Sequence, residues 1–158
     1  AIFMWTRKHS VTLSLIFTVI ITVLVTAASF FAPLGMRLWF CSYRGWAVDG
    51  EAFANILNVF YIFFYPCASF AYVALYSLFR LLNNIRKEAI FIRPNVKYLR
   101  VISWCCFIIA TLSFIGGFFY FPLLFVAVAA SFVGLLLRIV KNVLQNAVEI
   151  REENDLTI

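Results

Sequence analysis

The chain has 158 residues, of which 65% are hydrophobic and only 13% carry charge, whereas a soluble domain is about half apolar and about 25% charged. A soluble protein of this length could not bury so much apolar surface, so the composition excludes a soluble globular domain and indicates that lipid is the solvent. The net charge of +6 is unevenly placed, and the uncharged blocks predict where the chain crosses a membrane.

The first uncharged block, Ser10–Met36, predicts a membrane span over about Val11–Phe31. Its apolar stretch is longer than the about 7–15 residues of a signal-peptide core, so we expect the segment to be retained. Hydroxyl residues recur at every fourth position on one face: Ser14, Thr18, Thr22 and Thr26. Such a face favours close helix packing, and the alternative is a homodimer seam. Ala127, Ser131 and Gly134 form a similar face further along the chain.

The segment between the first two spans, Ala32–Glu51, is rich in aromatic residues with basic neighbours. Its aromatic residues are Trp39, Phe40, Tyr43 and Trp46. Because this combination favours the headgroup layer, we expect the segment to lie on the membrane surface.

The second block predicts a span over about Phe53–Phe79, and one face of it is polar. The residues of this α2 polar face are Asn55, Asn58, Tyr61, Tyr65, Ser69, Tyr72 and Tyr76. Amides and phenols lose hydrogen bonds in lipid, so we expect this face to point into the bundle. Two interpretations stay open: hydrogen bonds between helices, with Tyr65 and Tyr76 meeting the threonines of the first span, or the wall of a polar pocket or pore.

The third uncharged block, Val101–Leu137, would form a helix of about 55 Å, whereas a hydrocarbon core is about 30 Å thick. Gly116, Gly117 and Pro122 are turn-forming residues within it. The block therefore predicts two spans, over about 98–118 and 121–143, joined by a short tight turn.

Lysine and arginine predict the orientation. They gather at the N-terminus, in the Arg80–Arg100 connection and from the end of the fourth span onwards, and positive charge marks cytoplasmic loops. We therefore expect an all-α integral membrane four-helix bundle in one domain, residues 1–158, with cytoplasmic N- and C-termini and a cytoplasmic tail over residues 144–158.

The cytoplasmic face combines the basic connection with an acidic tail. Acids near the C-terminal end of a helix oppose its dipole and should seek nearby cations. We therefore predict a latch, or a surface for a partner, formed by Arg93, Lys97, Arg100, Glu149, Glu152, Glu153 and Asp155. The alternative is two solvated charged faces, with the connection drawn to anionic lipid.

Catalytic and metal-binding patterns are missing from the sequence. The uncharged blocks that predict the spans contain no acidic or basic residue, and the single histidine, His9, stands alone. We expect no enzyme activity, no catalytic residue, no metal site, no cofactor and no direct contact with nucleic acid.

The stretch Asn95-Val-Lys-Tyr-Leu-Arg100 and the terminal Glu153-Asn-Asp-Leu-Thr-Ile158 resemble the bacterial membrane-protein family called domain of unknown function 2975. The resemblance covers most of the chain and carries no established activity. Similar proteins are often encoded beside a small helix-turn-helix regulator. The resemblance alone therefore implies a regulatory role with a protein partner.

Three hypotheses for function stay open. The first is a non-enzymatic regulator or sensor of the bacterial cytoplasmic membrane, which acts on a cytoplasmic regulatory protein through the basic connection and acidic tail. The second is a small transporter, channel or efflux-type protein using the α2 polar face. The third is a structural subunit of a membrane complex, and a homo-oligomer is compatible with each.

Overall fold

The computed structural model describes residues 2–44 and 51–156 of the chain, which form four helices. They are α1, Ile2–Arg44; α2, Glu51–Arg86; α3, Arg93–Gly117; and α4, Pro122–Leu156. Each contains a stretch long and apolar enough to cross a membrane. The predicted all-α membrane architecture with four spans is confirmed.

The helices extend beyond the predicted spans. α1 continues through Pro33 to Arg44, so the expected surface segment after the first span is helical up to that residue. The helix passes through Pro33 because a single proline removes only one backbone donor and a long apolar helix tolerates it in lipid. The position of the segment at the membrane surface stays a prediction. Trp46 lies outside the described residues. At the other end of the chain, α4 continues to Leu156, which makes the described tail helical.

The helices pack in chain order. Among the described residues, every close backbone approach between helices joins consecutive ones: α1 with α2, α2 with α3, and α3 with α4. The apolar stretch of α3 is the most buried of the four. The protein is therefore organised around α3, and α1 is attached through α2.

Small residues allow α3 and α4 to approach closely. A Cβ atom placed on Gly134 would lie 3.3 Å from the Cβ of Cys106, and the buried Ser103 hydroxyl donates to the Gly134 carbonyl oxygen at 3.0 Å. Ala127 on the same face of α4 is buried as well. This face of the fourth span therefore packs within the chain.

The hydroxyl face of α1 satisfies most of its hydrogen bonds within its own helix. Ser14, Thr18, Thr22 and Thr26 each donate to the carbonyl oxygen four residues earlier, at 2.8–3.0 Å, a bonding mode open to hydroxyl residues in any helix. The Thr26 hydroxyl also accepts a bond of 2.9 Å from the phenol of Tyr72 on α2. This bond ties α1 to α2.

The α3–α4 turn, residues 118–121, is as short as predicted. A Cβ atom on Gly116 would lie 2.8 Å from a methyl carbon of Leu123, and one on Gly117 would lie 2.6 Å from the Cγ of Leu124. The turn needs both glycines because the start of α4 folds directly onto the end of α3. Trp39 and Phe60 both pack edge-on against Tyr120 in the turn, with ring centroids 5.9 and 6.2 Å apart.

Candidate functional site at the basic end

The charged end of the bundle, called here the basic end, comprises residues 80–100 and 138–156. Its non-helical connection covers only residues 87–92. α2 ends in a Schellman motif: the amide of Ala89 donates to the Asn84 carbonyl at 3.0 Å, and the amide of Glu88 donates to the Ile85 carbonyl at 3.0 Å. Glu88 accordingly has a positive φ of 64°, the left-handed conformation this motif requires.

Asn95 holds this connection in place. Its side chain is fully buried. The amide group donates to the carbonyl oxygens of Ala89 and Ile90, both at 2.8 Å, and its oxygen accepts from the Asn84 side chain at 2.8 Å. A buried asparagine with its donors and acceptor satisfied fixes a backbone conformation, because breaking any one bond leaves a buried group unpaired.

An ion pair connects the start of α3 to the end of α4. The Arg93 guanidinium donates from Nε to Glu152 Oε1 at 2.8 Å and from Nη2 to Glu152 Oε2 at 2.6 Å. This is the two-pronged geometry that suits arginine and a carboxylate. The Arg93 side chain is 74% exposed and the Glu152 side chain 41% exposed, so water and salt screen the interaction.

The same pair shifts both ionisable groups, which lie beyond the uncharged parts of their helices. The hydrogen bond to Glu152, and then its charge, raise the pKa of Arg93. The hydrogen bond from Arg93 lowers the pKa of Glu152, with a smaller opposing contribution from desolvation. Both groups therefore stay charged across the physiological pH range.

The remaining residues of the predicted latch lie around this pair. A cleft of about 190 Å³ between α3 and α4 is lined by Arg93, Lys97, Arg100 and Glu149 among others. Glu149 accepts a 3.0 Å bond from Gln145 on its own helix. Glu153 and Asp155 are exposed on the last turns of α4. The structure thus brings one predicted pair into direct contact, and the latch as a functional device stays a prediction.

The sequence interpretation missed several residues of the basic end. Asn84 was overlooked because it is one of two adjacent asparagines and its only signal is a spacing of eleven residues from Asn95. Gln145, Arg138 and Lys141 were not assigned to the surface, because their approach to α3 depends on how the α3–α4 pair packs.

The α2 polar face is placed differently from the expectation. Most of its residues are exposed in the single chain, namely Asn55, Asn58, Tyr65, Ser69 and Tyr76, while Tyr61 and Tyr72 are half-buried. The hydrogen bond to a threonine of α1 is donated by Tyr72, to Thr26, and not by Tyr65 or Tyr76 as expected. The face turns outward because the helix packing places the apolar residues Leu57 and Leu81 of α2 in the core. Its role as a pocket wall stays a prediction.

Within residues 2–44 and 51–156, no group of three or more histidine, cysteine or acidic residues is positioned to hold a metal ion. Cys41, Cys67, Cys105 and Cys106 are free thiols.

The fold and the charge pattern define the class: the chain is a multi-pass membrane protein of four helices. Residues 41–158 match the family described as "Protein of unknown function (DUF2975)", and the chain belongs to this family. The match covers α2, α3 and α4 and begins near the end of α1.

A similar curated protein is the "Uncharacterized membrane protein YoaS" of Bacillus subtilis (strain 168). The two are 27% identical over 126 residues, which cover 70% of this chain and 79% of the relative. No solved structure matches the chain.

Proposed function

We propose that this protein is a non-enzymatic regulator or sensor of the bacterial cytoplasmic membrane and that the basic end is its output surface. The observation that carries the proposal is the Arg93–Glu152 pair, which closes the helical tail onto the start of α3. A cytoplasmic orientation of this end is supported by its lysine and arginine residues.

The two sides of this contact differ in burial. The α3 side is anchored by the buried Asn95 and its three hydrogen bonds, whereas the α4 side is exposed from Glu153 to Leu156. A partner that competes for Glu152 therefore meets a hydrogen-bonded backbone on the α3 side. On the α4 side it meets a solvent-exposed tail whose Glu152 is bonded to Arg93. Such an exposed pair opens at little cost, which suits a contact that must switch.

The helical tail also offers a partner more than charge. Glu152, Glu153 and Asp155 stand beside Leu156, whose side chain is 87% exposed. Acidic residues with an exposed leucine on a helix suit a basic, partly apolar groove on a cytoplasmic regulatory protein.

The test combines affinity capture with charge reversal. The full-length protein and a form truncated after Val148 are extracted gently from the native membrane, and the co-purifying proteins are identified by mass spectrometry. We expect a soluble protein that is lost with the tail. Glu152→Lys should lower its recovery, because the added positive charge opposes a basic groove. Arg93→Glu combined with Glu152→Lys exchanges the charges of the internal pair and should not restore recovery, and Glu51→Lys, at an exposed acid of the opposite end of the bundle, is the matched control for charge alone. A partner profile that is identical for all forms would contradict the proposal.

A second candidate is a subunit of a homo-oligomer or larger membrane complex. It is favoured by the outward position of Tyr65, Ser69 and Tyr76 on α2, because polar groups at membrane depth gain from contact with protein. The transport hypothesis depends on the same face and would need a neighbouring chain to enclose it. Crosslinking of a Ser69→Cys variant in native membranes tests the second candidate, and a crosslinked dimer would support it. Uptake assays in liposomes then test the transport hypothesis.

A further inference from the structure

Cations from two helices meet at one level of the bundle. Arg100 on α3 and Arg138 on α4 border the two ends of the uncharged block Val101–Leu137. Because α3 and α4 are antiparallel and joined by a short turn, both arginines stand at the same edge of the apolar region. Together with Lys141 they line a small cleft of about 50 Å³. Among the described residues that line this cleft none is acidic, so three positive charges converge there, although Arg100 also borders the adjacent cleft that contains Glu149.

The cleft has the composition of a headgroup site. Trp104 forms part of its wall, and the Arg138 guanidinium lies 5.4 Å from the centre of the indole ring. The indole is half-exposed, and tryptophan prefers the headgroup layer of a bilayer. The stacked Arg138 is held in place by the ring while its remaining N–H donors stay available for an anion.

A second, apolar cleft lies further along the same side of the α3–α4 pair. It has a volume of about 410 Å³ and is bordered by Phe107, Thr111 and Phe114 on α3 and by Val128 and Ser131 on α4. Phe107 and Phe114 lie about 10 and 20 Å along the helix from Arg100, and a leaflet of the hydrocarbon core is about 15 Å deep. The second cleft therefore begins in the lower part of that leaflet and reaches past the bilayer centre, which is the depth of the end of an acyl chain.

Both clefts lie on one side of the α3–α4 pair. Arg100, Trp104, Phe107, Thr111 and Phe114 succeed one another at steps of three or four residues, which places them on one helix face. Leu137 and Leu144 of α4 pack instead toward the cluster that contains Leu81 of α2. The groove therefore faces away from α2 and is open to the bilayer.

We propose that this groove binds an anionic phospholipid. Its phosphate lies among Arg100, Arg138 and Lys141, and an acyl chain lies over the apolar cleft. Charge complementarity identifies the headgroup as an anion, and the apolar cleft on the same side of the α3–α4 pair identifies the ligand as a lipid. Arg100, Arg138 and Lys141 belong to the basic end, but the Arg93–Glu152 contact that carries the output proposal does not include them, so either proposal can fail without the other.

The first test measures lipid preference. The purified full chain in a zwitterionic detergent is titrated with dioleoylphosphatidylglycerol or dioleoylphosphatidylcholine, and bound lipid is counted by native mass spectrometry. We expect the native chain to prefer phosphatidylglycerol. In the double variant Arg138→Gln/Lys141→Gln its retention should fall about 25-fold, since each basic residue near an anionic surface contributes about fivefold. The charge-preserving Arg138→Lys/Lys141→Arg should retain the preference.

The matched control removes the same charge outside the groove. Arg86→Gln/Lys87→Gln alters two exposed cations of the basic end and should change retention by about twofold or less. Equal losses in the two double variants, or equal retention of the two lipids by the native chain, would overturn the proposal.

The acyl-chain cleft and the source of the phosphate need their own measurements. Thr111→Phe should fill the apolar cleft and lower phosphatidylglycerol retention, whereas Ala129→Phe, on the opposite face of α4, should leave it unchanged. Glycerol 3-phosphate should compete only weakly because it lacks acyl chains. Competition at the same concentration as the lipid, with no effect of Thr111→Phe, would show that the cleft takes a soluble phosphate and would overturn the assignment to lipid.

Discussion

At the turn end, α3 and α4 are joined by four non-helical residues, and the connection depends on shape: two glycines without room for a Cβ and aromatic rings packed around Tyr120. At the basic end, α2 and α3 are joined by residues 87–92, and the connection depends on hydrogen bonds converging on Asn95. The difference follows from the surroundings. Apolar contact suffices where nearly all neighbours are apolar, whereas a charged end supplies polar partners that can fix a backbone precisely.

The largest effect should come from the turn end. Gly117→Val places branched carbon atoms against Leu124, and we expect it to destabilise the fold by about 3 kcal/mol, the upper part of the usual range for overpacking. Thermal unfolding in detergent, followed by circular dichroism, measures this. Gly35→Ala is the control, because a Cβ atom at Gly35 has no neighbour within 4 Å. Equal effects of the two substitutions would show that the turn is not tightly packed.

A somewhat smaller effect is expected at the basic end. Asn95→Ala leaves the carbonyl oxygens of Ala89 and Ile90 without their donor, at a cost of about 2 kcal/mol. Hydrogen exchange at residues 84–92 should rise more than elsewhere in the chain. Asn142→Ala changes an exposed asparagine and should leave exchange in this segment unaltered. An Asn95→Ala protein with native exchange there would refute the role assigned to Asn95.

A smaller effect is expected midway between the two ends, at the hydrogen bond from Tyr72 of α2 to Thr26 of α1. Tyr72→Phe removes the donor to Thr26 and should cost about 0.6 kcal/mol, the average for side-chain hydrogen bonds between membrane helices. Thr26→Val combined with Tyr72→Phe should cost little more than either change alone, because both remove the same bond. Additive losses in unfolding measurements would show that the two residues act independently.

The smallest effect concerns pH and the Arg93–Glu152 pair. The lowered pKa of Glu152 means that its stabilising contribution is complete above the ordinary glutamate pKa and is lost as pH falls through the lowered value. A ¹³C NMR titration should therefore find Glu152 protonating at lower pH than an ordinary glutamate, and Arg93→Gln should raise its pKa toward the ordinary value. A Glu152 pKa that is insensitive to Arg93→Gln would show that the pair does not persist in solution.

Individual residues show how far prediction from sequence could go. The uncharged block Val101–Leu137 is too long for one membrane crossing, and Gly116, Gly117 and Pro122 within it indicated where the chain turns. The acidic tail and basic connection indicated Glu152 and Arg93 among seven candidates, but opposite charge alone could not select the pair. The α2 polar face was expected to point inward, because lipid disfavours amides, yet the packing of Leu57 and Leu81 turns it outward.

The amino-acid sequence by itself determined the four crossings, the turn between the last two and the concentration of positive charge at one end, because the hydrophobic effect and the thickness of the bilayer act on each segment locally. Only the tertiary structure decided that helices pack in chain order around α3, that Asn95 reaches Asn84, and that Arg100, Arg138 and Lys141 share a groove. These features depend on the rotation of each helix about its axis, which is fixed by side chains interlocking across helix interfaces.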